Sequence, residues 1–275
     1  MKKLIVNFAP TGMIPTKAMT PHVPISPKEI IQDVLKCAPL GVSIAHLHAR
    51  DSHGIPTYHK EVYGEIIRGV REHNQDLILC VSTSGRNFPE FSKRAEVLDL
   101  DGPLKPDMAS LTLSSLNFIQ SESMNAPLMI MKLAEKMAEK GIKPELEVFD
   151  LGMINFAKYL IKKGLLEPPY YFNILLGNVA SAQANINHLG LMISELPSPC
   201  YYSITGLGES QKEMTALGVI LADGVRIGLE DNIWLNKKNQ RLATNEDLVQ
   251  RIIHIAQAYE RPIMTPQETR GLLGM

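Results

Sequence analysis

The segment "VSIAHLHARD", residues 42–51, places two histidines two positions apart at the end of an apolar run. Side chains alternate between the two faces of a strand, so His46 and His48 share one face if this run is a buried strand. A single buried histidine is commonly a core residue with its hydrogen bonds satisfied. Two imidazoles buried together are costly unless a metal ion or acidic groups accompany them. The spacing therefore favours a metal ion as the partner of this pair.

A candidate third ligand lies in "GVRIGLEDN", residues 224–232. Read as a strand, this segment carries Arg226 and Glu230 on one face, with Asp231 directly after it. Two histidines and one carboxylate are typical of a catalytic zinc site, which keeps a fourth position open for water or substrate. Alternatively, Glu230 forms a buried ion pair with Arg226. Both interpretations hold together if Arg226 lies behind the ligand.

Other polar groups follow or belong to expected strands. The sequence STSG at 82–85 is a turn of hydroxyl and glycine residues, which can bind a carboxylate through backbone N–H groups or can be an ordinary capping turn. Glu145 and Glu147 share one face of another expected strand. A carboxylate facing a barrel interior is costly without a cation or metal nearby, which favours a functional role for one of the two.

Eight short β-type runs alternate with longer amphipathic stretches, and this pattern predicts one parallel eight-stranded (β/α)8 barrel, a TIM barrel, over residues 1–275. The strand candidates are 3–9, 41–48, 76–83, 108–114, 145–150, 171–177, 200–205 and 224–230. In a closed barrel the last strand lies beside the first, so Glu230 is expected at the same rim as His46 and His48. An open doubly wound sheet is less favoured, because the first strand lacks a G-x-G-x-x-G turn.

Helix boundaries have recognisable signals. Ser26 followed by Pro27 predicts the start of the first helix. Asn125 is the expected cap of a helix that ends at Gly141, and Asn245 is the expected cap of the last long helix. These helices would supply the crossovers between the parallel strands.

Composition excludes several functional classes. The net charge is −1 and no basic block occurs, so nothing favours nucleic-acid binding. No apolar segment reaches the roughly 18 residues needed to span a bilayer, and "MKKLIVNFAP" has too short an apolar run for a signal peptide. Three cysteines, odd in number and far apart, are typical of a reducing compartment. We expect a cytoplasmic protein without nucleic-acid or membrane partners.

The sequence resembles the β-keto acid cleavage enzymes. The matching stretches are "APTGMIPTKAMTPHVPISP", "HLHARD", "KPDMASLTLSSLNF", "KPELEVFDLGM", "GVRIGLEDN" and "TPQETRGLLG". They span nearly the whole chain in order. The resemblance implies a zinc-dependent barrel, usually a homotetramer, that condenses a β-keto acid with acetyl-CoA. The products would be acetoacetate and the CoA ester of the remainder.

The resemblance also implies roles for residues in two of these stretches. The zinc ligands would be His46, His48 and Glu230. Asp231 would be the catalytic base, and Arg226 would position Asp231 or stabilise charge. No covalent enzyme intermediate is needed, in keeping with the lack of a marked cysteine or serine nucleophile motif.

The resemblance implies that Ser82 and Gly85 hold the substrate, and Glu145 is a further candidate. Overall similarity favours 3-keto-5-aminohexanoate, an intermediate of lysine fermentation, as the keto acid. The segment "STSGRNFPE", residues 82–90, departs from the Thr- and Gly-rich run of many relatives, so another β-keto acid is the alternative.

Other classes of protein share parts of the pattern. Amidohydrolases also use His-x-His, but on the first strand and with further histidines on the fifth and sixth, where 145–150 and 171–177 contain none. A metal-dependent aldolase or lyase would share enolate stabilisation without needing acetyl-CoA. A non-catalytic barrel with structural zinc would need four protein ligands, and three good ones are present.

Overall fold

A computed structural model describes residues 2–275 as a closed barrel of eight parallel strands surrounded by helices, which confirms the TIM-barrel prediction. The strands are β1 (Ile5–Phe8), β2 (Ile44–Leu47), β3 (Ile78–Val81), β4 (Met108–Thr112), β5 (Leu116–Asn117), β6 (Glu122–Ser123), β7 (Lys143–Val148), β8 (Tyr170–Leu176), β9 (Cys200–Gly206), β10 (Gly224–Ile227), β11 (Trp234–Asn236) and β12 (Arg241–Leu242). The α-helices are α1 (Pro27–Cys37), α2 (Lys60–Arg71), α3 (Phe91–Ala95), α4 (Pro127–Lys140), α5 (Leu151–Lys162), α6 (Ile186–Glu195), α7 (Gln211–Leu221), α8 (Asn245–Ala258) and α9 (Pro266–Leu273).

The barrel closes between β1 and β10, which is the arrangement that the site requires. The strand order is β1-β10-β9-β8-β7-β4-β3-β2, and the short strands β5–β6 and β11–β12 form separate antiparallel pairs. Asn7 on β1 is in register with Arg226 on β10 and with Ile44 on β2. The segment carrying Glu230 therefore emerges next to the segment carrying the two histidines.

Side chains that point into the barrel form an apolar layer below a polar one. Ile5, Ile44, Ile78 and Tyr171 are fully buried in the inner cluster, and Leu273 of α9 packs against the same cluster. Nearer the carboxyl ends of the strands the inward positions are polar. The much larger cluster of Val, Leu, Ile and aromatic side chains lies between the strands and the helices. The apolar layers thus provide a rigid base for the polar residues above.

Several strands are shorter than their sequence patterns predicted, and three candidate site residues lie just beyond strand ends. His48 follows β2, Ser82 follows β3, and Glu230 lies in a turn after β10. The prediction that 224–230 is one continuous strand was wrong. The chain turns at Gly228, whose φ is +153° and where a Cβ would lie 2.0 Å from the carbonyl oxygen of Ala9. Only glycine permits this approach, and the turn brings Glu230 back towards Arg226.

The first helix begins as predicted, whereas the prediction that Asn125 caps α4 was wrong. Ser26 and Glu29 form a capping box at the start of α1. Helix α4 is preceded by Ala126, which makes no side-chain cap, although it ends at Gly141 as expected. The side chain of Asn125 is engaged elsewhere: it accepts a hydrogen bond from Arg94 at 2.7 Å and donates to the carbonyl of Ser114 at 3.1 Å.

Asn245 was also predicted to be a cap and is not one. The cap of α8 is Thr244, whose hydroxyl accepts from the N–H of Asp247. Asn245 is the next residue, and its side chain accepts from the N–H of Leu229 at 2.8 Å and donates to the carbonyl of Pro10 at 3.0 Å. Asn245 therefore holds the turn after β10 against the loop after β1.

The longest helices within residues 2–275 have 14 residues, and no helix there has the length and apolar character needed to cross a bilayer.

Candidate active site

The predicted site residues meet at the carboxyl ends of the barrel strands, around a cavity of about 230 Å³. TIM barrels place binding and catalytic groups at this end of the barrel. His48, Ser82, Arg226, Glu230 and Asp231 all line this cavity. Residues separated by more than 180 positions in the sequence thus face one space.

The two imidazoles and one carboxylate converge as the sequence predicted. The Nε2 atoms of His46 and His48 are 3.2 Å apart, and Glu230 Oε1 is 3.1 Å from His48 Nε2 and 3.9 Å from His46 Nε2. His46 is 1% exposed. Three potential donor atoms this close together form a candidate metal site.

A second carboxylate orients the first imidazole from behind. Glu145 Oε2 lies 2.6 Å from Nδ1 of His46, and Asn7 donates to Glu145 Oε1 at 2.6 Å. A carboxylate on Nδ1 keeps a proton there, so Nε2 is the nitrogen that can bind a metal once it has given up its own proton. Burial would lower the pKa of His46, but the Glu145 carboxylate outweighs it and raises the pKa to about 9. Burial likewise would raise the pKa of Glu145, yet the interaction with His46 lowers it to about 2.

The surroundings of Glu230 fit a bound metal ion. Its Oε2 atom is buried and has no hydrogen-bond partner among the residues that the structure describes. A buried carboxylate oxygen without a partner is costly, and a cation would satisfy it. Gly12, with φ of +65°, lies directly against Glu230, because a Cβ there would be 2.5 Å from Glu230 Cγ. The loop after β1 thus fixes this carboxylate from the side.

Arg226 joins three carboxylates at the centre of the site. Its guanidinium donates to Asp231 Oδ2 at 2.9 Å, to Glu230 Oε1 at 2.7 Å and to Glu147 Oε1 at 3.1 Å. The ion pair between Arg226 and Glu230 anticipated as an alternative to metal binding is therefore present, and it uses Oε1 while Oε2 remains free. Burial opposes the charge of Arg226, but Asp231 and Glu230 raise its pKa well above the usual range.

Asp231 has the environment of a carboxylate made more basic than usual. Burial raises the pKa of Asp231, Arg226 lowers it, and the neighbouring negative charge of Glu230 raises it further, with a net increase. A carboxylate with a raised pKa that faces a cavity is suited to accept a proton from a bound molecule.

The remaining predicted substrate contacts divide into those that face the cavity and those that do not. Ser82 lines the cavity, and its hydroxyl accepts a hydrogen bond from the N–H of Ser84 at 3.2 Å. Gly85 packs behind this turn, where a Cβ would be 2.3 Å from the carbonyl oxygen of Met124. Glu145 contacts His46, Asn7 and Cys80 below the cavity, whereas Glu147, two residues further, lines the cavity itself.

Two residues that contribute to the site, Arg86 and Phe118, were not singled out from the sequence. Arg86 lines the cavity and stacks on the ring of Phe118, with its guanidinium carbon 3.6 Å from the ring centroid. Thr112 donates to Glu147 Oε2 at 2.7 Å. The arginine inside the unusual segment 82–90 was the available signal for Arg86, but its partner Phe118 lies 32 residues away on a different loop.

Arg50, which completes "HLHAR", fixes the first loop over the site. Its guanidinium donates to the carbonyls of Gly12 at 2.8 Å and Pro15 at 2.9 Å, and the residues between them include Met13 and Ile14 at the cavity. The segment that carries the two histidines therefore also fixes the position of the loop after β1.

The chain is similar to known proteins over its whole length. The family model for beta-keto acid cleavage enzyme matches residues 3–275. The "3-keto-5-aminohexanoate cleavage enzyme" of Acetoanaerobium sticklandii is 34% identical over 276 residues, covering 100% of this chain and 99% of that protein. The "3-oxoadipate:acetyl-CoA acetyltransferase" of Cupriavidus necator is 31% identical over 275 residues, covering 98% and 94%.

A solved structure supports the fold at lower sequence identity. The ternary complex of ObcA with a C4-CoA adduct and oxalate superposes with a TM-score of 0.82 at 21% identity, covering 94% of this chain and 68% of that one. Its likeness is one of fold. The match of the family model together with the full-length relatives shows that the chain belongs to the beta-keto acid cleavage enzyme family.

Proposed function

We propose that this protein is a zinc-dependent transferase that converts a β-keto acid and acetyl-CoA into acetoacetate and the CoA ester of the remaining acyl group. The observation that carries the proposal is the convergence of the donor atoms of His46, His48 and Glu230, at a cavity that His48, Glu230 and Asp231 line. Membership of a family whose named relatives include acetyl-CoA acetyltransferases supports the same reaction.

The three donor side chains would hold the metal. Neutral imidazole nitrogens and a carboxylate oxygen form a donor set that zinc prefers, and the unpartnered Oε2 of Glu230 supplies a further free oxygen. When bound, Zn²⁺ acts as a Lewis acid that polarises a substrate carbonyl and increases the acidity of the neighbouring carbon. Glu145 contributes indirectly, because it orients His46.

Asp231 would accept the proton from the carbon between the ketone and the carboxylate. An aspartate has an ordinary pKa of about 3.9 and is a weak base in water, but burial raises the pKa of Asp231. Arg226 holds both oxygens of Asp231, which fixes the orientation of the carboxylate. Positioning a base against the proton that it removes can supply a large part of the rate acceleration.

The bonds then change in a balanced order. Loss of the proton to Asp231 gives an enolate, whose carbon attacks the thioester carbon of acetyl-CoA, so a carbon–carbon bond forms and the CoA thiolate leaves. The thiolate adds to the original ketone, and the bond between that carbon and the enolate carbon breaks. The released acetoacetate enolate regains one proton from Asp231. Ser82 and the turn at Gly85 are the proposed contacts that orient the keto acid for these steps.

Two keto acids stand out as candidates. Overall similarity favours 3-keto-5-aminohexanoate, the substrate in the name of the relative at 34% identity. Arg86, whose guanidinium stacks on Phe118 at the cavity, favours a keto acid with a terminal carboxylate, the class to which 3-oxoadipate belongs. We further propose that residues 1–275 act as one catalytic domain, as a cytoplasmic homotetramer, with no nucleic-acid or membrane partner.

The proposal is tested by incubating zinc-loaded protein with a β-keto acid, with and without acetyl-CoA, and measuring acetoacetate. We expect acetoacetate and a new CoA ester in equal amounts only when acetyl-CoA is present. Cleavage of the keto acid without acetyl-CoA would instead identify a metal-dependent aldolase or lyase. Metal binding without turnover of any keto acid would support a barrel with structural zinc.

A further inference from the structure

The arginines around the site differ in whether their guanidinium groups have hydrogen-bond or ion-pair partners. Arg226 pairs with three carboxylates, Arg50 donates to backbone carbonyls, and Arg94 donates to the carbonyl of Thr83 at 2.8 Å and to Asn125. Arg86 has no such partner. Within residues 2–275 its guanidinium makes no hydrogen bond or ion pair; instead it stacks on the face of the Phe118 ring.

The position of Arg86 makes an unpaired charge costly. The guanidinium lines the same cavity as Glu230 and Asp231, and burial lowers its pKa while the more distant Glu230 and Glu147 only partly offset this. Stacking on an aromatic face leaves the N–H groups at the edge of the guanidinium free to donate. A planar guanidinium with free edge donors binds carboxylates in a bidentate manner.

The carboxylates of the cavity are, by contrast, already engaged. Both oxygens of Asp231 accept from Arg226, and Glu147 accepts from Arg226 on one oxygen and from Thr112 on the other. Glu230 belongs to the candidate metal site. A substrate ammonium group would therefore meet no free carboxylate among the described lining residues, and it would be repelled by Arg86.

Apart from the hydroxyls of Ser82, Ser84, Thr112 and Ser123, the rest of the cavity wall is apolar. Leu116, Phe118, Phe149, Leu175 and Leu207 line it. A methylene chain would pack favourably against these side chains. The cavity thus combines a place for the reacting carbons near Glu230, an apolar wall and the unpaired guanidinium of Arg86.

We propose that Arg86 is a specificity-determining residue that binds the terminal carboxylate of a dicarboxylic β-keto acid. This inference rests on the proposed function and chooses between its two candidate substrates: it favours the acid with a negative end over the amino acid. The side chain of the keto acid lies along the apolar wall, and its carboxylate accepts from the guanidinium edge that Phe118 leaves free.

Binding of unreactive acids tests the inference independently of turnover. Isothermal titration calorimetry on the zinc-loaded protein compares adipate, which has a carboxylate at each end, with hexanoate, which has one. We expect adipate to bind at least about tenfold more tightly, as is typical of one charge-assisted hydrogen-bonded pair, and Arg86→Met to bring the two to within about twofold. Equal affinities in the wild type, undetectable adipate binding, or a preference that survives Arg86→Met would overturn it.

Turnover distinguishes the inference from the proposed function. The ratio of kcat/KM for 3-oxoadipate to that for 3-oxohexanoate should fall by about tenfold or more in Arg86→Met, with 3-keto-5-aminohexanoate the poorest of the three acids for the wild type. The matched control is Lys93→Met, which removes a nearby cation that already pairs with Glu90 at 2.8 Å and should leave the ratio unchanged.

Each alternative outcome has a distinct meaning. If 3-keto-5-aminohexanoate is the best substrate, the inference fails while the proposed reaction stands. If Arg86→Met raises the KM for acetyl-CoA and leaves the preference among acids unchanged, the anion at Arg86 is a CoA phosphate and the inference fails. If none of the acids yields acetoacetate, the proposed function fails, and the calorimetric comparison still decides whether Arg86 binds a terminal carboxylate.

Discussion

Glu145 Oε2 lies 2.6 Å from Nδ1 of His46, beneath the candidate metal site. This contact decides which nitrogen of His46 can bind a metal, because Nδ1 shares a proton with the carboxylate and Nε2 lies beside His48 and Glu230. Both residues are almost fully buried, so the orientation is enforced by packing as well as by charge.

The first prediction concerns this orienting carboxylate. Glu145→Gln should lower zinc affinity about 10-fold to 100-fold, because the neutral amide fixes the orientation of the His46 ring less well, although no ligand is removed. Competition with a chromophoric chelator measures the change. Glu147→Gln is the matched control: Glu147 contacts Arg226 and Thr112, and we expect a smaller effect on zinc affinity. Equal losses in the two variants would argue against the orienting role.

The second prediction concerns the proposed base. Asp231→Asn should keep the fold and the metal content but reduce kcat by about 10²-fold to 10⁴-fold, because the amide cannot accept the proton. Circular dichroism, metal analysis and acetoacetate release measured on the same preparation check the three parts. Activity within a few-fold of the wild type would remove Asp231 as the base.

The third prediction concerns the shared cation. Arg226→Met should destabilise the protein by about 3–5 kcal/mol, because it leaves three carboxylates in a buried site without their common partner. Arg226→Lys should recover part of that loss. An ammonium keeps the charge, but it lacks the planar guanidinium that donates to three carboxylates at once. Denaturation by urea gives both free energies. A Met variant as stable as the wild type would contradict the assigned network.

The fourth prediction concerns pH and the capping box of α1. Contacts with Lys17 and with the N–H groups of Ser26 and Ile25 outweigh burial and lower the pKa of Glu29 to about 2. A carboxylate with a lowered pKa stabilises the folded state above its unfolded pKa, about 4.5, and the contribution is lost as pH falls towards about 2. Glu29→Gln should therefore cost about 1 kcal/mol at neutral pH.

The difference in the free energy of unfolding between Glu29→Gln and the wild type should narrow as the pH is lowered from about 5, because the wild-type carboxylate then begins to be protonated. Urea denaturation at several pH values measures it. A difference that stays constant with pH would show that the carboxylate charge is not the stabilising feature. Lys28→Gln, one residue away and outside the box, serves as the control.

Much of the barrel and of the candidate metal site follows from local sequence patterns. The alternation of short apolar runs with amphipathic stretches is a local signal, and barrel closure then places the segment after β10 beside β2. His46, His48 and Glu230 could therefore be brought together from sequence alone. The resemblance to the family added the proposed roles of Asp231 and Arg226.

Other features depend on contacts that no local pattern encodes. Asn125 and Asn245 have the residue type of helix caps, but their amides are used by Arg94 and by Leu229 and Pro10. The stacking of Arg86 on Phe118 joins two loops after different strands. Glu145 and Glu147 both point inward, and only their neighbours decide that one orients a histidine while the other faces the cavity.

The metal content of His46→Ala tests the central claim most directly. After incubation with zinc and removal of the excess, the wild type should retain about one zinc per chain, because two imidazoles and a carboxylate together form a high-affinity site. We expect His46→Ala, with its fold checked by circular dichroism, to retain almost none and to lose activity with it. Full zinc occupancy in the folded variant would contradict the proposed site.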